Sequence, residues 1–246
     1  MLNGKNAVVT GAGGGIGRAI ARKLAEQGCN LFLHTRTDNP AFSEEMAQLA
    51  AEYGVEITPV AFDLENEAAI RDGVRSIMKR TKQIHILINN AGLAHMALFE
   101  MTSMEEIRRI YQVNVFAPIL LCQLFMRRMA SLGEGNIIQI ASTAAHETYI
   151  GNSIYGSSKA ALCHFTQCAA AEAASRGIRI NAIAPGLTDT RMSKVFEKDD
   201  PSLPLSRSAI KRKLLTDEIA DAVIGLLSDN MRMINGQIID VNGGAS

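Results

Sequence analysis

The chain has 246 residues, of which 47% are hydrophobic, and its 25 Lys and Arg residues balance 25 Asp and Glu residues. This length suits one α/β domain with a well-buried core, which we place over residues 1–246. Because the charges balance, no overall field attracts nucleic acid or an anionic membrane, so any anionic ligand must be held by local groups. The composition therefore indicates a small-molecule ligand.

Two segments bear on location. The longest apolar stretch, VNVFAPILLCQLFM, is interrupted by Pro118 and Gln123 and falls short of the ~20 residues that cross a bilayer. The first residues, MLNGKNAVVTGAGGG, lack the charged segment and uninterrupted apolar run that are typical of a secretion signal. We therefore expect a cytoplasmic protein without a membrane span.

Short apolar runs alternate with longer helical patterns along the whole chain. The runs typical of strands are NAVVTG, NLFLHT, EITPVAF, HILINN, NIIQIAS, RINAIAP and QIIDV. The helical patterns fall at residues 16–28, 43–53, 66–80, 103–131, 153–175 and 216–228. Strands that are apolar on both faces and alternate with helices predict a doubly wound, Rossmann-type α/β fold, with a seven-stranded parallel sheet and helices on both faces.

The first strand, turn and helix have the glycine spacing TGxxxGxG, at Thr10, Gly11, Gly15 and Gly17. Glycines let the backbone approach a pyrophosphate, and the free N–H groups of a helix start favour its negative charge. The pattern predicts a dinucleotide site that includes Ile16 at the helix start. A turn whose glycines serve only close packing is the alternative.

The second strand ends in Thr35 and Arg36. An acidic residue at this place would bind the ribose 2′-hydroxyl, whereas an arginine accommodates a 2′-phosphate. Arg36 therefore favours NADP(H) over NAD(H). NAD(H) stays open, because an arginine after a strand is often a solvated surface residue.

Tyr155 and Lys159 are four residues apart in SIYGSSKAAL, near the start of the fifth predicted helix. Residues at this spacing share one helix face. A tyrosine has an ordinary pKa of ~10, and a neighbouring ammonium lowers it by stabilising the phenolate. The pair can therefore act as an acid and base, although the same spacing occurs by chance in many helices.

Other motifs accompany this pair. The chain has NNAG at 89–92, Asn114 within YQVNV, Ser142 at the end of NIIQIAS, and Pro-Gly at 185–186 after the sixth strand. In order and spacing, over essentially the whole chain, these motifs resemble the short-chain dehydrogenase/reductase family. The resemblance implies an enzyme that transfers a hydride between a nicotinamide cofactor and a carbonyl or alcohol.

The resemblance also implies the catalytic roles. Tyr155 would be the general acid/base, and Lys159 would bind the nicotinamide ribose and lower the tyrosine pKa. Ser142 would hold the substrate oxygen, and Asn114 would order a proton-relay water. Taken singly, Ser142 is equally well a strand-end cap and Asn114 a hydrogen bonder inside a helix.

The cofactor contacts follow in the same way. Asp63 in AFDL would meet the adenine, although it also suits a turn, Asn90 would border the cleft, and Thr188 would contact the nicotinamide carboxamide. The complete set comprises Gly11, Gly15, Ile16, Gly17, Arg36, Asp63, Asn90, Tyr155, Lys159, Pro185, Gly186 and Thr188. NADP-preferring members often carry a basic residue in the glycine turn, where this chain has Gly14, so Arg36 is the main support for NADP(H).

No metal site is indicated. The four cysteines lack metal-ligand spacing and the five histidines form no pair four residues apart. Three of the cysteines lie in apolar helical patterns, and we interpret the four as small core residues: Cys29, Cys122, Cys163 and Cys168.

Residues 187–213 are polar, hold two prolines and interrupt the alternation just after a strand. Ligands in doubly wound folds bind at the carboxyl ends of strands, so this segment is a predicted substrate lid; a plain surface loop fits equally well. The pocket should be bordered by the stretch from Thr190 to Arg207 and by Leu93, His95, Met96, Ala144, His146 and Tyr149.

Within the family, the length, the NADP(H) preference and the ending GQIIDVNGG are most like 3-oxoacyl-(acyl-carrier-protein) reductases. Arg127, Arg128 and Arg176 fall where that subgroup docks an acidic carrier protein, although solvated cations at helix ends explain them at least as well. A dehydrogenase of a sugar, polyol or cyclic alcohol is the alternative.

A protein of another class, a non-catalytic NADP(H) sensor that acts through partners, would have no reason to keep the acid/base pair. The helical patterns at 103–131 and 153–175 have more apolar residues than one sheet face can cover, which indicates a subunit interface. In the resembled family these helices pair across a two-fold axis, so we expect a homotetramer.

Overall fold

The computed structural model describes residues 2–196 and 208–244. Within that part of the chain seven strands are present: β1 (Asn6–Val9), β2 (Asn30–Thr35), β3 (Ile57–Ala61), β4 (Ile86–Asn89), β5 (Gly135–Ile140), β6 (Ile178–Pro185) and β7 (Ile238–Val241). They form one parallel sheet in the order β3-β2-β1-β4-β5-β6-β7. The predicted seven-stranded parallel sheet is confirmed.

The α-helices of the described residues are α1 (Gly15–Glu26), α2 (Pro40–Tyr53), α3 (Glu67–Arg80), α4 (Met104–Tyr111), α5 (Ala117–Leu132), α6 (Ser153–Ala173) and α7 (Thr216–Leu227). A π-helical turn, Gln112–Phe116, joins α4 to α5. Short 3-10 turns lie at Phe99–Met101, Thr143–Ala145, Ala174–Arg176, Ser193–Val195 and Asp229–Met231.

Helices cover both faces of the sheet, as predicted. Buried residues of α1, α2 and α7 pack in one cluster with Val9 of β1. Buried residues of α3, α5 and α6 pack in a second cluster with Val8. Neighbouring residues of a strand point to opposite faces of the sheet. Val8 and Val9 are both fully buried because helices cover each of those faces. This is why the strands have no polar face in the sequence.

Helix α2 begins three residues earlier than the sequence pattern predicts. The Asn39 side chain caps it by accepting a hydrogen bond from the backbone N–H of Phe42, at 3.2 Å, and Pro40 occupies the first helical position. Proline is favoured there because that N–H has no partner within the helix. A search for apolar periodicity misses this first turn because the signal lies in the cap.

The continuous helical stretch Met104–Leu132 is long and apolar enough to cross a membrane by length and composition. In the structure 44% of its most apolar window is buried. Leu121, Phe125 and Met129 pack in the second cluster, the one that contains Val8. The stretch is therefore built into the core, where an apolar composition is expected.

The strand order reverses between β1 and β4, which are neighbours in the sheet but far apart in sequence. Chain connections leave these two strands in opposite directions, so a crevice opens at their carboxyl ends. Residues 187–196 follow β6 at the same edge. Of the predicted lid, residues 197–207 lie outside the described part of the chain.

Candidate active site

The glycine turn, residues 10–14, joins β1 to α1. Gly11 has a φ of 66°, and a Cβ there would lie 2.9 Å from the Cα of Ala91. A Cβ on Gly17 would lie 2.3 Å from the carbonyl oxygen of Gly11. Gly14, by contrast, has an extended backbone, and a Cβ on it would meet nothing within 4 Å. The first two positions therefore require glycine for the packing of the turn, and Gly14 does not.

Three polar side chains fix this turn. The Thr10 hydroxyl accepts hydrogen bonds from the N–H groups of Asn90 and Ala91, at 3.0 and 3.1 Å. The Asn90 amide donates to the carbonyl of Thr10 at 2.9 Å. Buried His34 accepts from the Gly11 N–H at 3.2 Å through Nδ1, so its Nε2 carries the hydrogen that faces the Phe62 carbonyl at 2.8 Å. Burial lowers the pKa of His34, which favours this neutral form.

Helix α1 begins directly after the turn and no side chain caps it. Its first N–H groups are therefore available to a ligand, and the helix dipole favours an anion there. Gly13, Gly14, Gly15 and Ile16 line a cavity of about 550 Å³, a volume in the range of small-molecule sites. Open glycines at an uncapped helix start fit a pyrophosphate and so a dinucleotide.

This main cavity brings together most of the residues predicted from the sequence. It is lined by Gly11, Gly15, Ile16, Arg36, Asn90, Ser142, Tyr155, Lys159, Pro185, Gly186 and Thr188. Three other predicted residues are not part of its lining: Gly17, Asp63 and Asn114. Gly17 is buried under the turn, so it shapes the cradle from behind.

Ser142 and Tyr155 face each other across the loop that joins β5 to α6. The Ser142 hydroxyl is a hydrogen-bond partner of the Tyr155 phenol, and it also accepts from the Ala144 N–H at 3.2 Å. Burial raises the pKa of Tyr155 to about 12, and the bond from Ser142 lowers it only in part. The phenol is thus protonated at neutral pH, a form that can donate a proton.

Ser142 is the group that lowers the Tyr155 pKa in this structure, and the lowering expected from Lys159 stays a prediction. The Lys159 Nζ lies 5.9 Å from the centre of the Tyr155 ring and donates a hydrogen bond to the Ile140 carbonyl at 2.8 Å. Burial lowers the pKa of Lys159 itself to about 8. Burial is the largest cause of both shifts, and the sequence spacing does not reveal it.

Asn114 lies in the π-helical turn, behind the cavity wall. Its side-chain oxygen accepts from the Leu93 N–H at 2.8 Å, and its amide donates to the Leu93 carbonyl and to the Ser158 hydroxyl. A Cβ on Gly92 would lie 3.3 Å from the Asn114 Oδ1 and 3.5 Å from the Lys159 Nζ. Asn114 therefore supports the wall beside Lys159.

Arg36 is 58% exposed and lies between two carboxylates. Its guanidinium contacts Asp63 and Glu65, each at 3.1 Å. Asp63 is thus an ion-pair partner of Arg36 and also accepts from the Glu65 N–H at 3.0 Å. A ligand phosphate at Arg36 would compete with both carboxylates.

The substrate end of the cavity differs from its prediction. Met96 and Tyr149 line it as expected, and so do Thr190, Met192 and Phe196 of the predicted stretch. Four predicted border residues do not line it, namely Leu93, His95, Ala144 and His146. The His146 Nε2 lies 2.9 Å from the Asp240 carboxylate, and the His95 Nε2 lies 2.9 Å from the Thr102 hydroxyl, so both rings have partners within the protein.

Two substrate-side residues were missed by the sequence reasoning. Buried Asn152 donates from its amide to the carbonyls of Ala144 and Glu147, at 3.1 and 3.2 Å. Glu147 lines the cavity, and its carboxylate has no ion pair or side-chain hydrogen bond among the described residues. No sequence signal marks either residue, because their roles depend on how the loop folds.

The three arginines assigned to carrier docking lie at the opposite edge of the sheet. Arg127 and Arg128 are exposed near the end of α5, before β5 begins. Arg176 is exposed at the end of the 3-10 turn that precedes β6. The cavity, in contrast, opens at the carboxyl ends of the strands.

The cysteines are free thiols. Cys29 and Cys122 are buried as predicted, Cys163 is half-buried, and the interpretation of Cys168 as a core residue is wrong because its side chain is exposed. Within the described ranges, 2–196 and 208–244, no three His, Cys, Asp or Glu side chains are grouped so as to hold a metal ion.

Comparison with known proteins agrees with this geometry. The model of the short chain dehydrogenase family matches residues 5–201. The chain is similar to the 3-oxoacyl-(acyl-carrier-protein) reductase FabG of Aquifex aeolicus, with 33% identity over 243 residues, 99% of this chain and 98% of the relative.

Two solved structures share the fold. L-sorbose reductase from Gluconobacter frateurii, complexed with NADPH and L-sorbose, is similar with a TM-score of 0.91, 30% identity, and coverage of 99% of this chain and 97% of that chain. The 3-ketoacyl-(acyl-carrier-protein) reductase from Brucella melitensis, complexed with NADH, has a TM-score of 0.89, 30% identity and 99% coverage of each chain.

Proposed function

The chain belongs to the short-chain dehydrogenase family and is an NAD(P)-dependent oxidoreductase, and from that premise we propose that it interconverts a ketone and a secondary alcohol with NADP(H), acting as a 3-oxoacyl thioester reductase. The main support is that Ser142, Tyr155 and Lys159 line one cavity with the uncapped start of α1. A proton donor, a hydrogen-bonding hydroxyl and a dinucleotide cradle are then within one crevice.

The residues act on the substrate oxygen. Tyr155 donates the proton from its phenol to the ketone oxygen, and Ser142 holds that oxygen by a hydrogen bond. Lys159 binds the nicotinamide ribose, and Asn114 stabilises the wall next to it. When bound, the cofactor supplies the hydride to the carbonyl carbon. The high pKa of Tyr155 keeps the phenol protonated at neutral pH, which is the form that donates the proton during reduction.

Arg36 is the basis for NADP(H) over NAD(H). It is the cavity-lining cation that follows β2, where the ribose 2′-position of a dinucleotide is read. Both cofactors occur among similar proteins, since the sorbose reductase was solved with NADPH and the ketoacyl reductase with NADH. NAD(H) is therefore the alternative.

A thioester substrate is supported by the similarity to 3-oxoacyl-(acyl-carrier-protein) reductases. In this proposal the acidic carrier docks on Arg127, Arg128 and Arg176, at the edge of the sheet away from the cavity mouth. The test compares Arg176→Glu with wild type on carrier-linked and on N-acetylcysteamine thioesters of one 3-oxoacyl chain. A selective rise in the KM of the carrier-linked substrate supports docking, and equal KM values refute it.

Glu147 favours a second candidate, a reductase of sugars, polyols or hydroxylated ketones. A carboxylate without a side-chain partner among the described residues can accept hydrogen bonds from substrate hydroxyls, whereas an acyl chain offers it none. The sorbose reductase, complexed with L-sorbose, is a similar protein that takes a hydroxylated ketone. Glu147→Gln should lower kcat/KM for hydroxylated substrates and leave kcat/KM for 3-oxoacyl thioesters unchanged or raise it.

We also infer a cytoplasmic homotetramer. Large apolar side chains are exposed at Phe99, Met101, Met104, Phe116 and Ile150. Phe99 and Ile150 border a second cavity of about 440 Å³ along α6, so the apolar surface adjoins that helix. A second copy covering this surface would bury it. Light scattering at micromolar concentration checks the assembly, and a monomer would refute it.

One experiment separates the candidates. The purified protein is assayed with NADPH and with NADH against 3-oxoacyl thioesters, ketoses and cyclic ketones. Tyr155→Phe should abolish turnover and leave cofactor affinity unchanged. Tyr111→Phe is the matched control, because that phenol bonds Ser157 at 2.9 Å and does not line the main cavity. Cofactor binding without turnover on any substrate would favour a non-catalytic sensor.

A further inference from the structure

A dinucleotide carries a negative pyrophosphate, yet the glycine turn of this chain holds no cation. Four cationic side chains line the main cavity within the described residues: Arg36, Lys159, Arg191 and Arg212. Arg36 is paired with Asp63 and Glu65. Arg212 donates two hydrogen bonds to the carboxylate of Glu218, at 2.6 and 2.8 Å. Lys159 donates to the Ile140 carbonyl, deep at the catalytic end.

Arg191 differs from the other three cations. It is exposed, lines the cavity, and makes no hydrogen bond or ion pair among the described residues. A guanidinium without a partner among the described residues can accept an anion at the edge of the cavity without first losing one of those contacts. Since its fork of N–H donors suits the oxygens of a phosphate, Arg191 is matched to an anionic ligand.

The position of Arg191 is fixed by its neighbours. The Asp189 N–H donates to the Leu214 carbonyl at 2.8 Å. Buried Ser193 donates from its hydroxyl to the Thr190 carbonyl and from its N–H to the Thr190 hydroxyl, at 3.0 and 3.3 Å. Arg191 is therefore carried by an anchored turn, which holds its backbone at one place along the cavity.

That place adjoins the start of α1. The Thr190 Cγ2 lies 3.2 Å from the position that a Cβ on Gly15 would occupy. Gly15 is the first residue of α1, whose N–H groups face the cavity without a cap. The segment that carries Arg191 thus packs against the anion-favouring start of α1 and continues from there into the substrate end of the cavity.

We propose that Arg191 is a cofactor-binding residue that clamps the pyrophosphate beside the start of α1 and supplies the positive charge that the glycine turn does not provide. The inference rests on the proposed dinucleotide binding. It does not depend on the identity of the substrate. It does not depend on a preference for NADP(H) over NAD(H) either, because both cofactors carry the same pyrophosphate.

The test measures the Kd of NADPH, NADH and ADP-ribose by fluorescence or calorimetry, without substrate or turnover. ADP-ribose keeps the pyrophosphate and lacks both the nicotinamide and the 2′-phosphate. Arg191→Ala should raise all three Kd values by about tenfold, the loss of one charge-assisted contact. Arg191→Lys should recover part of that loss, and the difference should shrink at high salt.

Lys194→Ala is the matched control, because Lys194 is an exposed cation on the same segment that does not line the cavity. The Kd values of Lys194→Ala should equal those of wild type. If Lys194→Ala weakened binding as much as Arg191→Ala, the effect of Arg191 would come from the net charge of the segment and not from a specific contact. A loss for NADPH alone would move Arg191 to the 2′-phosphate and overturn the pyrophosphate assignment. Unchanged Kd values in Arg191→Ala would overturn the inference alone, whereas wild type that bound no dinucleotide would also remove the proposed function.

Discussion

The two ends of the main cavity are built differently. At the cofactor end, Thr10, His34 and Asn90 fix the glycine turn through hydrogen bonds between neighbouring strands. At the substrate end, residues 143–152 and 187–196 are loops, and one buried amide, Asn152, ties the first of them together. The cofactor end is thus part of the sheet, and the substrate end is attached to it.

This difference has a physical consequence. A larger side chain at the cofactor end would clash with nearby backbone atoms. A Cβ on Gly17, for example, would lie 2.3 Å from the Gly11 carbonyl oxygen. Substitutions at the substrate end fall in loops, and loops tolerate substitution because they pack less closely. One strand-bound frame for the cofactor can therefore serve different substrates, which agrees with thioester and sugar reductases both being similar to this chain.

Lys159 lies where the two ends meet, so Lys159→Met should have the largest effect. We expect kcat to fall on the order of 10²-fold or more, because the substitution removes the ammonium group that is proposed to bind the nicotinamide ribose beside the proton-donating phenol of Tyr155. Stability at pH 7 should instead rise by about 1–2 kcal/mol, because a buried ammonium is replaced by an apolar side chain of similar size. Thermal unfolding and steady-state kinetics measure the two effects.

The pH dependence gives an independent check. Burial lowers the pKa of Lys159 in the folded state to about 8, below its ordinary value of 10.5. Between these pH values the unfolded chain binds the proton that the folded chain has lost, so wild-type stability rises with pH. The advantage of Lys159→Met should therefore shrink above pH 8. A constant difference would contradict a buried ammonium.

Gly17→Ala tests the rigidity of the cofactor end. The new methyl group would overlap the Gly11 carbonyl, and we expect a loss of about 1–3 kcal/mol in stability. Cofactor affinity should fall about tenfold if the turn shifts by a few tenths of an ångström. Gly14→Ala is the control, since a Cβ there meets nothing within 4 Å and its backbone is extended. Similar losses in both variants would remove the distinction between the two glycines.

The same contrast separates what the sequence reveals from what it does not. The fold was predictable because the strands are apolar on both faces and alternate with helices, and the turn because its glycine spacing is local. Ser142, Tyr155 and Lys159 were predictable as a group through the family resemblance. The glycine spacing is local, whereas the alternation and the family motifs extend along the whole chain; all of them can be read from the order of residues alone.

Other features arise only from packing between distant segments. His34 looks like a lone polar residue in the strand NLFLHT, and its bond to Gly11 requires β1 and β2 to be neighbours. The raised pKa of Tyr155 comes from burial, which a helical spacing does not report. Arg36 was recognised, but its engagement by Asp63 and Glu65 depends on a segment 27 or more residues away.

Asn152→Ala tests the substrate end with a smaller expected effect. Removal of two hydrogen bonds leaves the carbonyls of Ala144 and Glu147 unpaired, so we expect a stability loss of about 1–2 kcal/mol and a several-fold rise in substrate KM. The Kd of NADPH should not change. Asn152→Asp should be at least as damaging, because a carboxylate would face the two carbonyl oxygens.

Asn66→Ala is the matched control for Asn152. Its side chain caps α3 by accepting from the Ala69 N–H at 3.1 Å and does not line the cavity, and its loss costs about 1 kcal/mol. The control should lower the melting temperature without changing KM. If it raised KM equally, the effect of Asn152 would be one of general stability and the loop would have no special role.

Arg36→Ala should have the smallest effect. We expect the Kd of NADPH to rise about fivefold, equivalent to ~1 kcal/mol for an exposed ion pair, and the Kd of NADH to stay the same. The effect is modest because Asp63 and Glu65 already hold the guanidinium. Glu65→Gln should therefore act in the opposite direction and tighten NADPH slightly, since it weakens that competition. An equal change for both cofactors would mean that Arg36 does not read the 2′-phosphate, and that the cofactor end fixes a dinucleotide without selecting between its two forms.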